Sequence, residues 1–418
     1  MNNLPEEIIL YILNYLENTV DVINFCLSNK FYKNLVYRNK HIFRCISTFD
    51  KRYINKIEET DIIGKIKLKT SNFQDIYNII NKIDTIEYNP LINDELLDVS
   101  ILRNIKKLYI SDYKGITDVS MLGNCEELIL KRCLNITDVS KLANVKKINL
   151  HGCKNVKDFT MLGNCEELNL SFCCINDVSM LGNVKKLNLN HCIKISDVSM
   201  LGNVEELHLR HCVKIKDVSM LSKLKILDLT FCCNITDVSM LGNCEKLNLS
   251  FCDKISDVSK LVNVKKLNLY GCKSVKDFTM LGNCEELNLS GSENITDVSM
   301  FENVKKLDLS FSYNISDVSM LRNVKKLNLT GCLKISDFSM LGNCEELILC
   351  GCKIKDVSTL GNVKKLDLSY CSEITDVSML GNCEELNLSY CKCVIDVSKL
   401  THCKKLNLSH CEKIIKFK

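Results

Sequence analysis

One string recurs through most of this chain. From residue 98 the pattern Asp-Val-Ser-x-Leu-x-Asn, then Leu-x-Leu-x-x-Cys, returns with its aspartate at 98, 118, 138, 158, 177, 197, 217, 237, 257, 277, 297, 317, 337, 356, 376 and 396. The step is 20 residues, except for 19 between 158 and 177 and between 337 and 356. Both short steps lose one residue between Cys and Ile. A unit of this length cannot bury a core by itself, so neighbouring units have to stack and share one. In the copy from Leu187 to Val204, the alternation Leu187, Leu189 predicts a short strand. Cys192, Ile195, Val198, Leu201 and Val204 are apolar and never adjacent, so all of them turn inward around a coil. The return stretch Asp-Val-Ser-Met-Leu-Gly-Asn is too short for a regular α-helix and predicts turns or 3₁₀ pieces. Gly123, Gly163 and Gly202 are expected to supply a positive-φ turn there. The repeated Asp stacks like charges, and its expected return is a carboxylate that caps backbone N–H groups of the following turn.

These residues resemble the leucine-rich-repeat family, whose pattern LxxLxLxxCxxI they follow over most of the chain. The resemblance implies an α/β chain whose repeats form a solenoid with a curved parallel sheet on the concave face and a short, mostly non-helical convex side. The family places Asn or Cys where this chain has Cys133, Cys153, Cys192, Cys212, Cys252 and Cys272. Looser copies at Ile66, Ile86 and Leu108 extend the array forward, giving about 18 strands over residues 63–418. Lys106-Lys107 alternates with Glu126-Glu127, Lys146-Lys147, Glu166-Glu167 and Lys185-Lys186 at the strand entrances, which sets Glu beside Lys across neighbouring strands. A duplicated two-unit segment explains the alternation equally well.

Residues 1–46 lack the repeat. Pro5, Glu6 and Glu7 suit a first helical turn, and Ile8, Ile12, Leu13 and Leu16 fall on one helical face. Val22, Phe25 and Cys26 mark a second helix, and Phe31, Leu35 and Val36 a third. Three short helices are close to the lower size for independent folding, so apolar surface is expected to await a partner. The segment resembles an F-box in Leu4-Pro5-Glu6-Glu7-Ile8, Ile12-Leu13-Asn14-Tyr15-Leu16, Asp21-Val22, Asn29-Lys30, Tyr32, Leu35 and Ile42-Phe43-Arg44. It departs at Asn29, where Cys is frequent, at Tyr32 and Phe43, where Trp is frequent, and at Ser28, where an aliphatic is usual. The resemblance implies docking on a Skp-type adaptor of a cullin–RING ubiquitin ligase, through Leu4, Pro5, Ile8, Ile12, Val22, Phe25, Leu27 and Tyr32. Residues 47–62, dense in charge, read as a connecting segment with helical character.

Several functions are disfavoured by what the chain contains. A net charge of +4 on 55 basic and 51 acidic residues does not suit a nucleic-acid binder. There is no run of 18 apolar residues to cross a membrane and no basic leader, so a reducing cytosol or nucleus is expected. Of 26 cysteines, thirteen occupy the ladder position and seven the position three before the strand Leu, which reads as core. No CxxC pair or His/Cys quartet suggests a metal, no cofactor is expected, and no Cys stands out as catalytic. Stacked rungs would be near enough for disulfides, and the expected compartment argues against them. The sequons at Asn135 and Asn294 are expected to be turn residues of the repeat.

Target recognition is expected where the repeat loses its monotony. The mid-strand ladder of Asn149, Asn169, Asn188, Asn248, Asn268 and Asn288 reads as stacked amides. One break is basic, at Lys131, Arg132, His208, Arg210 and His211; the histidines themselves read mainly as tolerated surface variation. Another is aromatic, at Phe172, Phe231, Phe251, Phe311, Tyr370 and Tyr390, serving either as exposed hot spots or as partly buried edge packing. The expected function is a substrate receptor of an SCF-type cullin–RING ligase with no chemistry of its own. The alternatives are a non-catalytic binding or decoy protein, a thioester-forming ligase and a structural remnant.

Overall fold

A computed structural model describes residues 46–49, 66–70, 83–88 and 99–414 of the chain. Leu4, Pro5, Ile8, Ile12, Val22, Phe25, Leu27 and Tyr32, with the expected F-box and most of the connecting segment, lie outside the described residues. The chain divides into two compact units, one ending at Lys194 and one beginning at Ile195.

The first unit holds parallel strands at Ile46–Phe49, Ile66–Thr70, Ile83–Tyr88, Lys107–Ser111, Glu127–Lys131, Lys147–Asn149, Glu167–Asn169 and Lys186–Asn188. The strand Ile46–Phe49 lies ahead of any that the repeat period points to, and it takes in residues given above to the helical and connecting segments. Its Ile-Ser-Thr-Phe composition suits extended backbone, and it completes the edge of Ile66–Thr70 with Ile46 opposite Ile66. The second unit runs from Glu206–His208 to Lys405–Asn407 through three-residue parallel strands. Equivalent residues stand opposite one another there: Leu247 beside Leu267, and Leu267 beside Leu287.

One coil of the second unit shows why the sequence closes this way. Lys246–Asn248 is the strand, and Leu247 and Leu249 point to the core. A tight turn follows, closed by the Cys252 N–H donating to the Leu249 carbonyl at 3.1 Å. Cys252, Ile255, Val258, Leu261 and Val264 are then buried in succession. The return side is the 3₁₀ turn Ser259–Leu261, and no α-helix occurs among the described residues. The Asp257 carboxylate accepts the Ser259 N–H at 2.8 Å. The same bond recurs from Asp118 with Ser120 to Asp396 with Ser398, so the repeated aspartate is a backbone cap, as its position predicts.

The expectation for Gly123, Gly163 and Gly202 is overturned. Their φ values are −62°, −63° and −63°, ordinary right-handed backbone. They are small because coils touch there: a Cβ on Gly123 would press into the Lys141 carbonyl oxygen, and one on Gly163 into that of Met180. Where Ala143 and Val262 stand instead, ψ moves from the −14° of Gly123 to −24° and −27°. The left-handed backbone of each coil lies elsewhere.

Candidate interaction surface along the strand ends

The residue just before each ladder position has positive φ. It is Asp112, Arg132, Gly152, Phe172 and His191 in the first unit. In the second it is His211, Phe231, Phe251, Gly271, Gly291, Phe311, Gly331, Gly351, Tyr370, Tyr390 and His410, all with φ between 59° and 70°. The cause is the tight turn. In Leu229–Cys232, the Cys232 N–H reaches back to the Leu229 carbonyl at 2.9 Å, while the Phe231 N–H donates to Ser250 of the next coil at 2.9 Å. The third position of such a turn suits Gly, and an L-residue there costs about 1 kcal/mol. Glycine serves the turn at five of these positions, so the aromatic side chains are not demanded by the fold.

Those side chains form stacks. In the first unit, Phe172 lies face to face with His191, centroids 4.2 Å apart, and edge to face with His151 at 5.1 Å. In the second, His211, Phe231 and Phe251 stack at 4.4 and 4.3 Å, and Tyr270 closes the run edge to face at 4.7 Å. Tyr370, Tyr390 and His410 make another stack at 4.4 and 4.3 Å. The rings shield one another's faces: Phe231, Phe251 and Tyr390 are half-buried in the stacks, while Phe172, Phe311 and Tyr370 keep large exposed surfaces. His191, His211 and His410 belong to the columns, each stacked on a neighbouring ring. His151 and Tyr270 escaped the sequence reading as well. The signal that could have found this register is glycine recurring in the column that otherwise holds Phe, Tyr and His.

The basic break resolves into separate ion-paired clusters. Arg132 donates to Asp112 from Nε at 2.6 Å and from Nη2 at 2.7 Å, and Lys131 ends the neighbouring strand, exposed. Asp228 is buried and accepts Arg210 Nε at 2.6 Å and Thr230 Oγ1 at 2.6 Å. His208 lies 2.9 Å from Glu206 and 3.9 Å from Asp228. The nearby Asp228 carboxylate, with the hydrogen-bonded Glu206 adding to it, raises the His208 pKa against the cost of burial. Burial disfavours the Asp228 carboxylate, but the nearby His208 and the hydrogen bonds from Thr230 and Arg210 outweigh it and hold its pKa low. Sequence reasoning missed Asp228 because it sits in the column where Asn is usual.

The Asn column stands in register along the sheet, with amide N–H groups reaching the neighbouring coil at Asn328 to Asp308 and Asn387 to Asp367, and it also has a local role. Its amide oxygens are spent on their own chain: Asn149 accepts the His151 N–H at 3.0 Å, Asn248 that of Ser250 at 3.0 Å, and Asn288 that of Ser290 at 2.9 Å. They end the strands as Asx turns. The sequon asparagines behave differently. Asn135 donates to the Lys114 carbonyl at 2.7 Å and Asn294 to the Lys273 carbonyl at 2.8 Å, tying each coil to the one before. At the strand entrances Glu does sit beside Lys, as in Lys147–Glu167 at 2.8 Å and Lys266–Glu286 at 2.6 Å. Between these rows the second unit has an open groove of about 790 Å³ with a mixed polar and apolar lining, including Lys246, Asn268, Glu286, Asp308, Lys326 and Ile348.

The ladder cysteines are donors. Cys153 Sγ reaches the Leu130 carbonyl at 2.9 Å, Cys252 that of Leu229 at 3.2 Å, and Cys391 that of Leu368 at 3.1 Å. Ser312 takes the same role at one rung. The described cysteines are all free thiols, and burial pushes Cys133, Cys173 and Cys272 up to about 12. Such thiols carry almost no thiolate at neutral pH and are poor nucleophiles. Among the described residues no group of three or more His, Cys, Asp or Glu is placed to hold a metal ion, and no helix is long and apolar enough to cross a membrane.

The Leucine Rich repeat family matches residues 166–181 and 221–241. Those two stretches match as leucine-rich repeats, and the other coils keep the same spacing. The solved structures agree in fold. A leucine-rich-repeat protein of Leptospira interrogans superposes with a TM-score of 0.55 at 18% identity, over 76% of this chain and 99% of its own. The functional domain of InlJ from Listeria monocytogenes, which includes a cysteine ladder, matches with a TM-score of 0.50 at 18% identity, over 73% of this chain and 72% of its own. The mouse RP105/MD-1 complex matches with a TM-score of 0.51 at 16% identity, over 74% of this chain and 66% of that one. No curated protein matches the sequence significantly. The comparisons thus agree on a stacked-repeat fold, and in this chain the ladder donor is a thiol.

Proposed function

We propose that this chain is the substrate receptor of an SCF-type cullin–RING ubiquitin ligase, working in the cytosol or nucleus. Residues 1–46 dock on a Skp-type adaptor, and the leucine-rich repeats hold a target protein. The chain contributes position, not chemistry: two binding modules on one polypeptide raise the local concentration of target near the ligase. The recognition half rests on one observation. Large aromatic side chains are kept, exposed, at left-handed turn positions that glycine fills elsewhere in the same array. Strain of this kind is retained where a surface is used. The ligase half is supported by the F-box resemblance of Leu4-Pro5-Glu6-Glu7-Ile8 and Ile12-Leu13-Asn14-Tyr15-Leu16, and by the order of the two segments.

Size-exclusion chromatography of the full chain with a purified Skp-type adaptor tests this. A stable complex is expected for the wild type and none for the variant Leu4→Ala, Pro5→Ala, Ile8→Ala. If the wild type elutes apart from the adaptor, the ligase assignment fails and the repeats are those of a binding or decoy protein.

A further inference from the structure

The aromatic column of the second unit is interrupted twice, each time by two successive glycines. Gly271 and Gly291 separate Phe251 from Phe311, and Gly331 and Gly351 separate Phe311 from Tyr370. Each interruption spans three coil steps, about 14 Å at the spacing of parallel strands. The first is filled by the protein itself. Tyr270 lies edge to face on Phe251, and a Cβ on Gly291 would meet the Tyr270 ring at 3.6 Å. The second interruption has no such ring. The residue corresponding to Tyr270 is Thr330, which is too short to reach across. A Cβ on Gly331 would meet the Phe311 ring at 3.1 Å, and one on Gly351 would meet nothing within 4 Å. Most of the rim is apolar: Phe311, Tyr313, Leu333 and Tyr370 are 47%, 46%, 45% and 56% exposed, with the exposed Lys353 beside them. Ile348 stands nearby in the column that elsewhere in this unit holds Asn, Asp or His.

We infer that this notch between Phe311 and Tyr370 takes one aromatic side chain, a Tyr, Phe or Trp, from a partner polypeptide. The occupant is argued from the sister notch, where the same geometry already seats a tyrosyl ring. A nucleotide fits less well, because it would bring phosphate to a rim of rings and aliphatic groups. Of the three flanking lysines, Lys334 is committed to Asn314 at 2.7 Å and Lys355 to Glu373 at 3.3 Å, while Lys353 is exposed beside Gly351, so the nucleotide control decides between the two occupants. The inference rests on the reading of the repeats as a protein-binding surface and gives that surface a specific pocket.

N-acetyl-tyrosinamide titrated into the full chain, followed by methyl NMR of Leu333 and Ile348, tests it. Saturable shifts of these methyls are expected, with no comparable response to N-acetyl-leucinamide or to adenosine monophosphate. Two variants close the notch independently: Gly351→Phe, an aromatic in a backbone that carries aromatics at other coils, and Thr330→Tyr, which copies Tyr270. Either is expected to weaken the tyrosinamide at least about tenfold. Tyr270→Ser is expected to open the sister notch and raise the stoichiometry from one to two. The inference is overturned if tyrosinamide leaves Leu333 and Ile348 unmoved, if leucinamide or the nucleotide binds as well, or if both closing variants bind like wild type. Adaptor binding, read on the same samples, is independent of the notch. Its loss would condemn the ligase assignment without touching this pocket, and failure of the pocket would leave that assignment standing.

Discussion

A single backbone angle, the positive φ of each coil's tight turn, sets where the aromatic columns stand. Phe251 sits at φ 60°, a conformation in which its ring gains from stacking and its backbone loses to strain. The two effects are of similar size, about 1 kcal/mol each. Phe251→Gly is therefore expected to shift the urea midpoint little, whereas Phe251→Val, β-branched in a left-handed turn, costs about 2 kcal/mol or more. Equal loss in both variants would show that the ring, and not the angle, governs the site. His208 offers a second test. Asp228 and Glu206 raise its pKa in the folded chain, so its contribution is complete below its unfolded value near 6.5 and is lost as pH rises through the higher folded value. A histidine NMR titration is expected to place wild-type His208 above 6.5, and Asp228→Asn is expected to bring it down. An unchanged midpoint in Asp228→Asn would remove Asp228 as the cause. Neither feature was fully legible in the sequence. Glycine reads the same whether it serves a left-handed turn, as at Gly271, or a close approach, as at Gly123. Arg210 looked like a free cation because its partner Asp228 arrives from the next coil.

Within one coil, the period-2 leucines, the spaced apolar residues and the capping aspartate each have a local cause, which is why the element was readable before its coordinates. The thiol and the carboxylate do the work that backbone ladders do in longer strands. Asp237, for example, accepts the Ser239 N–H at 2.8 Å, and that bond holds its carboxyl below the usual 3.8. Its contribution is complete above the unfolded value and is lost as pH falls through the lower folded one. Hydrogen exchange at the Ser239 amide is expected to speed up in Asp237→Ala and to stay slow in Asp237→Asn, whose side-chain oxygen accepts the same bond. Equal exchange in all three chains would mean that the repeated aspartate is kept for another reason. The mid-strand asparagines were harder to read. An amide row along a sheet and a row of Asx turns share one sequence pattern, and only the short bond from Asn248 to the Ser250 N–H reveals the second.

At the scale of the molecule, a repeated coil offers many equivalent positions, so a site is visible as a departure from equivalence. In the second unit, Ile348, Gly331, Gly351 and the exposed rings beside them are such departures, and they fall together. The proposed function joins that surface to a front segment whose sequence resembles an F-box, and it needs the two to act separately. Proximity labelling from the full-length chain, beside its Leu4→Ala, Pro5→Ala, Ile8→Ala variant, measures this directly. The expected result is that adaptor and cullin are labelled by the wild type and vanish in the variant, while one set of further proteins is labelled by both. Absence of adaptor and cullin from the wild-type labelling, or loss of every partner together in the variant, would contradict a receptor built from two independent binding parts.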